Sequence, residues 1–494
     1  MTDDIFRSSS GSTYRAAGSD RLLSDWNAWL VHPDNEWATD AQTLAVRAWD
    51  LFRNDPVARA MIQTELILTH GSEGLRYHSL YRDDDNDETS EAEHKVRSQA
   101  DTVVNRTWEG VGVDAGGLLS RVELEWAIDC VGRVGGDGFG VRCWKPNRIH
   151  ARFATCWRLV RGEFVTNPGY APDTQQFFRG IEFDGDNQPV AIHVQHTVRE
   201  GVTYMAPQWT RIPFWGEDGT PNVIFRVGDR MPGAIRGLSI FAPALTAMRH
   251  VAGTNEAFVV GKRTQASHPI IKKVPDPAAA AAADAAQNPR GNTGVRPLSF
   301  IYTSTDSDIE FPSWSFNGAD MRDFLDGQYR SICAARGLPW EFVLAQLTDA
   351  NLAASRAAML QAYRTAARWQ NEQIIQCTSK MDQGAVREGI GRGEVDATAE
   401  DPARFMASHY RRPPRAMPDP KKEAEAGETW ADMGRDFTGI FAESGLDFEQ
   451  CVRQRAADDR FLKAQAVTLN ALRHPRYRTA EGESKPEENP KSKP

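Results

Sequence analysis

"GLSIFAPALTAMRHVAGTNEAFVVGKRTQASHPIIKK", residues 237–273, is where the chain changes regime. A loop rich in glycine, proline and arginine gives way near Ser239 to helix-forming residues, with Pro243 in the first turn, where its missing N–H costs little. Phe241, Leu245, Met248 and Ala252 recur on one face, so the spacing predicts a helix from about Ser239 to Ala266, roughly 40 Å long. Gly261-Lys262-Arg263-Thr264 has the look of a nucleotide loop, but Arg263 sits where Ser or Thr is required and Glu256 where the first glycine belongs. "HPIIKK" then reads as a strand, and "LSFIYT" and "IEFPSW" as two more. Between them, residues 274–297 offer few large apolar side chains to bury, which predicts a flexible insert. A second helix, about Ala319 to Arg336, puts Met321, Leu325, Tyr329 and Ile332 on one face and stops at Gly337 and Pro339. The expected unit is an outgoing rod, a small β tip and a returning rod.

The next stretch, "LTDANLAASRAAMLQAYRTAARWQ" (347–370), is a polar loop running into an alanine-rich helix. Such a helix can read nucleic acid, support a catalytic pocket or pack against neighbours. Thr348 or Asp349 can cap it near Ala350, and from Leu352 the positions Met359, Tyr363, Ala366, Gln370, Ile374 and Cys377 stay within about 40° of one line. That face packs, while Arg364 and Arg368 lie away from it, as a solvated face or ion pairs would.

Upstream, residues 1–20 read as a mobile arm, and a helical pattern runs from about Ala41 to Leu68. The run "DDDNDE" (83–88) spaces Asp83, Asp85 and Asp87 as a calcium loop would, but Glu88 replaces the turn glycine and His94 the closing glutamate, leaving a solvated acidic loop. Residues 118–131 are helical, and "GRVGGDGFGVRCW" follows a helix and precedes a strand, the reverse of a phosphate cradle. From 141 to 227 short apolar runs alternate with turn signals, as in antiparallel β structure, where His193 and His196 would point to opposite faces. Asp419-Pro420 starts a further helical segment and "GLDFEQCVRQRAADDRF" another, before a tail of disordered composition. The fold class expected is α+β.

At 494 residues and 40% hydrophobic, the chain is long enough for about two to four domains with real cores. A formal charge of −9 argues against a sequence-specific DNA binder, because an acidic chain gains little from counterion release. Six cysteines without a C-x-x-C pair and an N-terminus without an apolar core fit a reducing cytosol; Cys130, Cys143 and Cys156 read as small buried hydrophobes rather than metal ligands. The apolar stretches are too short to cross a bilayer.

In this frame the residues resemble the portal proteins of tailed double-stranded DNA phages, lambda-like subfamily. "AVRAWDLFRNDPVARAMIQTELILTHGSEGLR" (45–76) resembles the family's Arg-Asp-Leu-x-Arg-Asn-x-Pro helix. "DRMPGAIRGLSIFAPAL" (229–245) is similar to its Arg-Pro-Gly-Gln-x-Arg-Gly segment. "GLPWEFVLAQLTDANLAASRAAMLQAYRTAARWQ" (337–370) resembles its Gly-x-Pro-Tyr-Glu run, and "MPDPKKEAEA" (417–426) its Asp-Pro-x-Lys-Glu element. Trp340 stands for Tyr, Leu352-Ala353-Ala354-Ser355 replaces a Tyr-Ser-Ser pattern, and the alanine-rich run at 278–286 is particular to this chain.

The resemblance implies a portal fold: an α/β wing, a two-helix stem, a small β-containing clip, a long wing helix and a helical C-terminal crown. Laid on this chain, the wing is 21–235, the stem 236–266 and 319–337, and the clip 267–318. The tunnel loop is 338–351, the long wing helix and wing return 352–417, the crown 418–472 and the disordered tail 473–494. It further implies a homo-oligomeric ring, typically a dodecamer, at one capsid vertex, through which double-stranded DNA enters during packaging and leaves at ejection. The implied partners are the major capsid protein and scaffold, the terminase large subunit and a head-completion or adaptor protein, with no membrane, no cofactor, no metal and no catalytic residue. The location is the virion, and the host cytoplasm during assembly. Gln346, Thr348, Asp349 and Asn351 would line the channel in a loop without Lys or Arg. His268, Lys272 and Lys273 would sit on the clip docking surface, and Arg356, Arg364 and Arg368 would face the channel or a neighbouring subunit. The rival readings are another capsid-associated structural protein and a nucleic-acid-processing enzyme, which should show an acid cluster or a nucleotide loop.

Overall fold

The structure, a computed structural model, describes residues 32–81, 91–107, 110–149, 151–196, 208–266, 270–287, 300–304, 318–345, 352–396, 407–414, 420–443 and 448–464. The arm, the acidic run at 83–88, the "IEFPSW" strand and the C-terminal tail lie outside these.

The single helix expected from Ala41 to Leu68 is two, α1 (Pro33–Asn54) and α2 (Pro56–His70). Pro56 disfavours helical backbone at the residue before it, and Asp55 is extended at φ −104, ψ 120. Its carboxylate then accepts from the Val57 and Ala58 amides at 2.9 and 2.8 Å, capping α2. After β1 (Arg76–Ser79) and α3 (Glu91–Thr107) comes α4 (Arg121–Gly135), opened by a reciprocal cap between Ser120 and Glu123. The glycine-rich run that follows is a helix end turning into β2 (Asp137–Trp144). Gly136 sits at φ +101, and a Cβ there would meet the Gly237 carbonyl at 2.5 Å. A Cβ on Gly138 would come within 2.4 Å of the Ile128 carbonyl, so the glycines let α4 lie directly on the strand.

The expected antiparallel region is present as two sheets. β3 (Thr155–Arg161), β4 (Phe177–Phe178), β5 (Ile181–Phe183), β6 (Pro189–Gln195), β7 (Trp209–Pro213) and β8 (Val223–Val227) arrange as β3-β2-β8 and β4-β5-β6-β7. Phe139, Val141, Ile181, Ile192 and Phe214 fill a core with residues of both. His193 meets Glu182 at 3.1 Å and His196 meets Thr210 at 2.5 Å, so the two rings serve different contacts.

The rod predicted from Ser239 begins later, as α5 (Leu245–Ala266). Pro243 has no N–H to give, and residues 239–244 close as successive tight turns, with the Ala242 amide donating to Ser239 and the Ala244 amide to Phe241. At 22 residues α5 is about 33 Å long. β9 (Ile270–Val274), α6 (Pro277–Gln287) and β10 (Phe300–Ser304) follow, with β9 and β10 parallel. Part of the insert expected to be flexible is thus helical. Alanine is the strongest helix former, Pro277 suits the first position, and Asp276 caps the Ala278 amide at 3.0 Å. The return rod is α7 (Gly318–Ala334), which ends in a turn at Gly337, followed by the short α8 (Trp340–Val343).

The alanine-rich helix is α9 (Leu352–Gln373). Beyond Gln373 the helical path continues: a π-helical turn (Ile374–Thr378) passes straight into α10 (Ser379–Gly391). Gly389 of α10 permits close contact, since a Cβ there would lie 2.8 Å from Val103. β11 (Ser408–Arg411) pairs antiparallel with β1, and α12 (Pro420–Asp432), α13 (Phe437–Glu443) and α14 (Phe448–Ala464) follow. Two further cores result. One joins Met61, Ile62, Phe241, Met248, Ile332, Ala362 and Trp369; the other joins Val103, Leu124, Trp157, Cys377, Met381 and Val386.

Candidate functional site

Of the residues singled out by sequence, Gln346, Thr348, Asp349, Asn351 and His268 lie outside the described residues. Lys272 and Lys273 are exposed on β9, in register with Tyr302 and Thr303 of β10. Arg356, Arg364 and Arg368 are all exposed along α9. The Nε of Arg368 donates to Glu372 one turn on at 2.8 Å, so this arginine is held in an ion pair on its own helix. The packed face of α9 is where periodicity put it, with Ala366 and Gln370 buried, and Cys377 is buried in the π turn that follows.

The most concentrated chemistry in the molecule is elsewhere, in a buried charge network that the sequence reading missed. Arg121, Glu125, Asp129 and Arg133 stand four residues apart on α4, so they form one stripe along the helix. Such a stripe normally marks a solvated face, yet all four are buried. Arg133 forms an ion pair with Glu65 of α2 and donates to Asp129 at 2.9 Å and to Thr69 at 3.1 Å. Glu65 also accepts from Arg336, just past α7, at 2.9 Å. The other oxygen of Asp129 lies 3.1 Å from His70 Nε2, while Arg226 of β8 donates to Asp129 at 2.9 Å and to Gln376 of the π turn at 2.9 Å. Arg121 bridges Glu125 and Asp382 of α10 at 3.1 and 2.9 Å, and Tyr410 of β11 donates to Asp382 at 3.0 Å. The Arg133 and Arg336 guanidiniums both lie over the Trp369 ring of α9, at 5.2 and 5.6 Å. One network therefore ties the end of α7 to α2, α4, β8, α9, the π turn, α10 and β11.

The charges are mutually set. Burial works against the Asp129 carboxylate, but the charges of Arg133 and Arg226, with His70, hold it far below the usual carboxylate range. Burial likewise opposes ionised Glu125, and Arg121 and His70 outweigh it. Burial would also pull the His70 imidazolium down; hydrogen bonding to Asp129 and Glu125 and the charges of both carboxylates raise it above 6.5 instead. A histidine raised in the folded state contributes stability fully present below about pH 6.5 and lost as pH climbs through its folded value. Urea midpoints measured from about pH 6 to pH 9 should therefore decline in the parent protein, and His70→Gln should flatten that slope. An unchanged slope in the variant would assign the decline to other groups.

Among the described residues no group of three or more His, Cys, Asp or Glu side chains could hold a metal ion, and no helix is long and apolar enough to cross a membrane. Several large apolar side chains stand exposed on the rods: Val259 of α5, Phe324 of α7, Leu360 of α9 and Ile375 of the π turn.

The family profile described as "Phage portal protein, lambda family" matches residues 19–370, most of the chain. No curated protein matches significantly. Among solved structures, a chain of the neck of a native GTA particle computed with C12 symmetry aligns at 14% identity. The alignment covers 78% of this chain and 99% of that one at a TM-score of 0.34, too loose a superposition to fix the role of any element.

Proposed function

Because the chain belongs to the lambda family of phage portal proteins, we propose that its copies close into a ring, probed most simply as a dodecamer, forming the DNA channel of one capsid vertex. The family is structural rather than enzymatic, which favours this reading over a nucleic-acid-processing enzyme. The observation that carries the proposal is the pair of helices α5 and α7 flanking the β9-α6-β10 unit. Asn255 of α5 lies 3.4 Å from the Tyr329 hydroxyl of α7, so the two run side by side, and Val259 and Phe324 remain exposed on them. In a head-to-tail ring every copy presents one face to the next, and such faces bury apolar side chains.

In this proposal 236–266, which includes α5, and 319–337, which includes most of α7, are the stem, and 267–318 is the clip. Residues 21–235 with the return to 417 form the wing, 338–351 the tunnel loop and 418–472 the crown. The wing faces the major capsid protein and scaffold. The clip receives the terminase large subunit during packaging and a head-completion or adaptor protein afterwards, and exposed Lys272 and Lys273 tune the rate of docking more than its strength. A conduit must let its cargo go, and a ring whose every copy carries −9 gains little from counterion release, so duplex DNA passes without being held. A second capsid-associated structural role has no observation of its own in its favour.

Electron microscopy and native mass spectrometry of the purified protein test the proposal. Closed rings with a central hole are expected, and uniform monomers across several salt concentrations would count for the enzyme reading. Replacing Val259 and Phe324 together by Glu should shift assembly toward free protomers by tenfold or more in concentration. Each apolar side chain kept from water is worth about 1.5–3 kcal/mol, and about 1.4 kcal/mol is tenfold. Unchanged assembly of a folded double variant would remove these two residues from the subunit contact.

A further inference from the structure

We propose that Cys143 and Cys156 form a redox-responsive thiol pair that closes reversibly as a disulfide between β2 and β3. The two residues are direct register partners in the antiparallel ladder, so their side chains share one face of the sheet. The Lys145 amide donates to Ala154 of the β3 side at 2.8 Å, whereas the Arg142 amide donates to Asn222 on the β8 side at 2.8 Å. Odd-numbered residues of β2 thus turn their backbone toward β3, and Cys143 faces Cys156 as a hydrogen-bonded pair. The Cα atoms of such pairs stand about 5.5 Å apart, within the span a disulfide bridges. The Cys156 sulfur already leans toward its partner, 3.4 Å from the Cys143 carbonyl oxygen, while the Cys143 sulfur lies 3.6 Å from the Val141 carbonyl. Both are free thiols. The other four cysteines sit on helices: Cys130 on α4, Cys333 on α7, Cys377 in the π turn and Cys451 on α14.

Exposure sets the order of events. Cys156 is fully buried and Cys143 partly exposed, and burial raises the Cys156 thiol pKa against the partial relief given by Arg148. Cys143 therefore meets a peroxide first. Its thiolate attacks one peroxide oxygen; the S–O bond forms, the O–O bond breaks, and the departing hydroxide takes up the thiol proton as water. The Cys156 sulfur then attacks the sulfenic sulfur, the S–O bond breaks, and the second oxygen leaves with the Cys156 proton as another water. Two thiols lose two electrons and two protons, and one peroxide becomes two waters. The Cβ atoms of a hydrogen-bonded cross-strand pair sit wider than in a relaxed disulfide, so the bond is strained and easily reduced.

The pair does not depend on ring formation, and its test separates from that of assembly. Full-length protein is treated with hydrogen peroxide, alkylated, digested and mapped by mass spectrometry. The expected product is a peptide joining Cys143 to Cys156 within one chain, lost again on incubation with excess reduced glutathione. Cys143→Ala and Cys156→Ala should each abolish it, and Cys130→Ala should leave it in place. Two alkylated thiols at these positions after peroxide, a sulfinic acid at Cys143 with Cys156 still alkylated, or Cys143 joined to a different cysteine would each overturn the proposal. The unsubstituted chain supplies the decisive map, so a variant that fails to fold does not blunt the test.

Discussion

Asp129→Ala is expected to lower the free energy of the first unfolding transition by about 3–5 kcal/mol, the cost of removing one partner from a buried ion pair. The carboxylate is fully buried and is shared by Arg133, Arg226 and His70. Deleting it leaves two guanidiniums, each about 1% exposed, without their common anion. Neither can discharge by losing a proton, since arginine stays protonated in proteins. Asp129→Asn keeps the shape but not the charge and should be nearly as damaging. The readout is the urea midpoint followed by tryptophan fluorescence, because Trp369 lies against Arg133 and Arg336. A loss below about 1 kcal/mol for either variant would mean that the surrounding groups compensate one another without this carboxylate.

Removing residues 346–351 is expected to leave ring formation near that of the parent while abolishing most DNA packaging. The segment joins two anchored ends: Val343 of α8 is buried, and α9 is seated through Ala362, Ala366 and Trp369. Assembly through the rods does not call on these six residues. In the proposed reading they form the part of each copy that reaches the duplex, and they carry Asp349 and no Lys or Arg. Contact without strong phosphate binding suits passage, and losing it should show in packaged length or retention under pressure rather than in particle number. Equal packaging by the deletion and the parent would move the constriction to another element.

How much of this was legible in sequence follows from which forces act locally. The helix from Leu352, the antiparallel region and the α5, β9, β10 and α7 elements follow from periodicity and turn residues, which the local chain enforces by itself. The errors fall where a single residue overrides the pattern. Pro56 splits one apparent helix into two, Pro243 delays α5, and alanine propensity builds α6 where burial predicts nothing. The charge network was hidden for a different reason. Arg121, Glu125, Asp129 and Arg133 recur every fourth residue, the same pattern that a salt-bridged solvent face gives, and only the tertiary partners Glu65, His70, Arg226 and Asp382 reveal that the stripe points inward. The cue available was the interleaving of that stripe with apolar Leu124, Ile128 and Val131, which leaves no wholly polar side for water.

The π turn at Ile374–Thr378 has a consequence for the geometry of the whole α9–α10 rod. An added residue in one turn offsets angular phase by about 100°. Upstream of it, Ala362, Ala366 and Trp369 aim at one hydrophobic nucleus; downstream, Met381, Ala385 and Val386 aim at another. Excising one residue there would restore a uniform pitch and leave one of the two nuclei facing the wrong side chains.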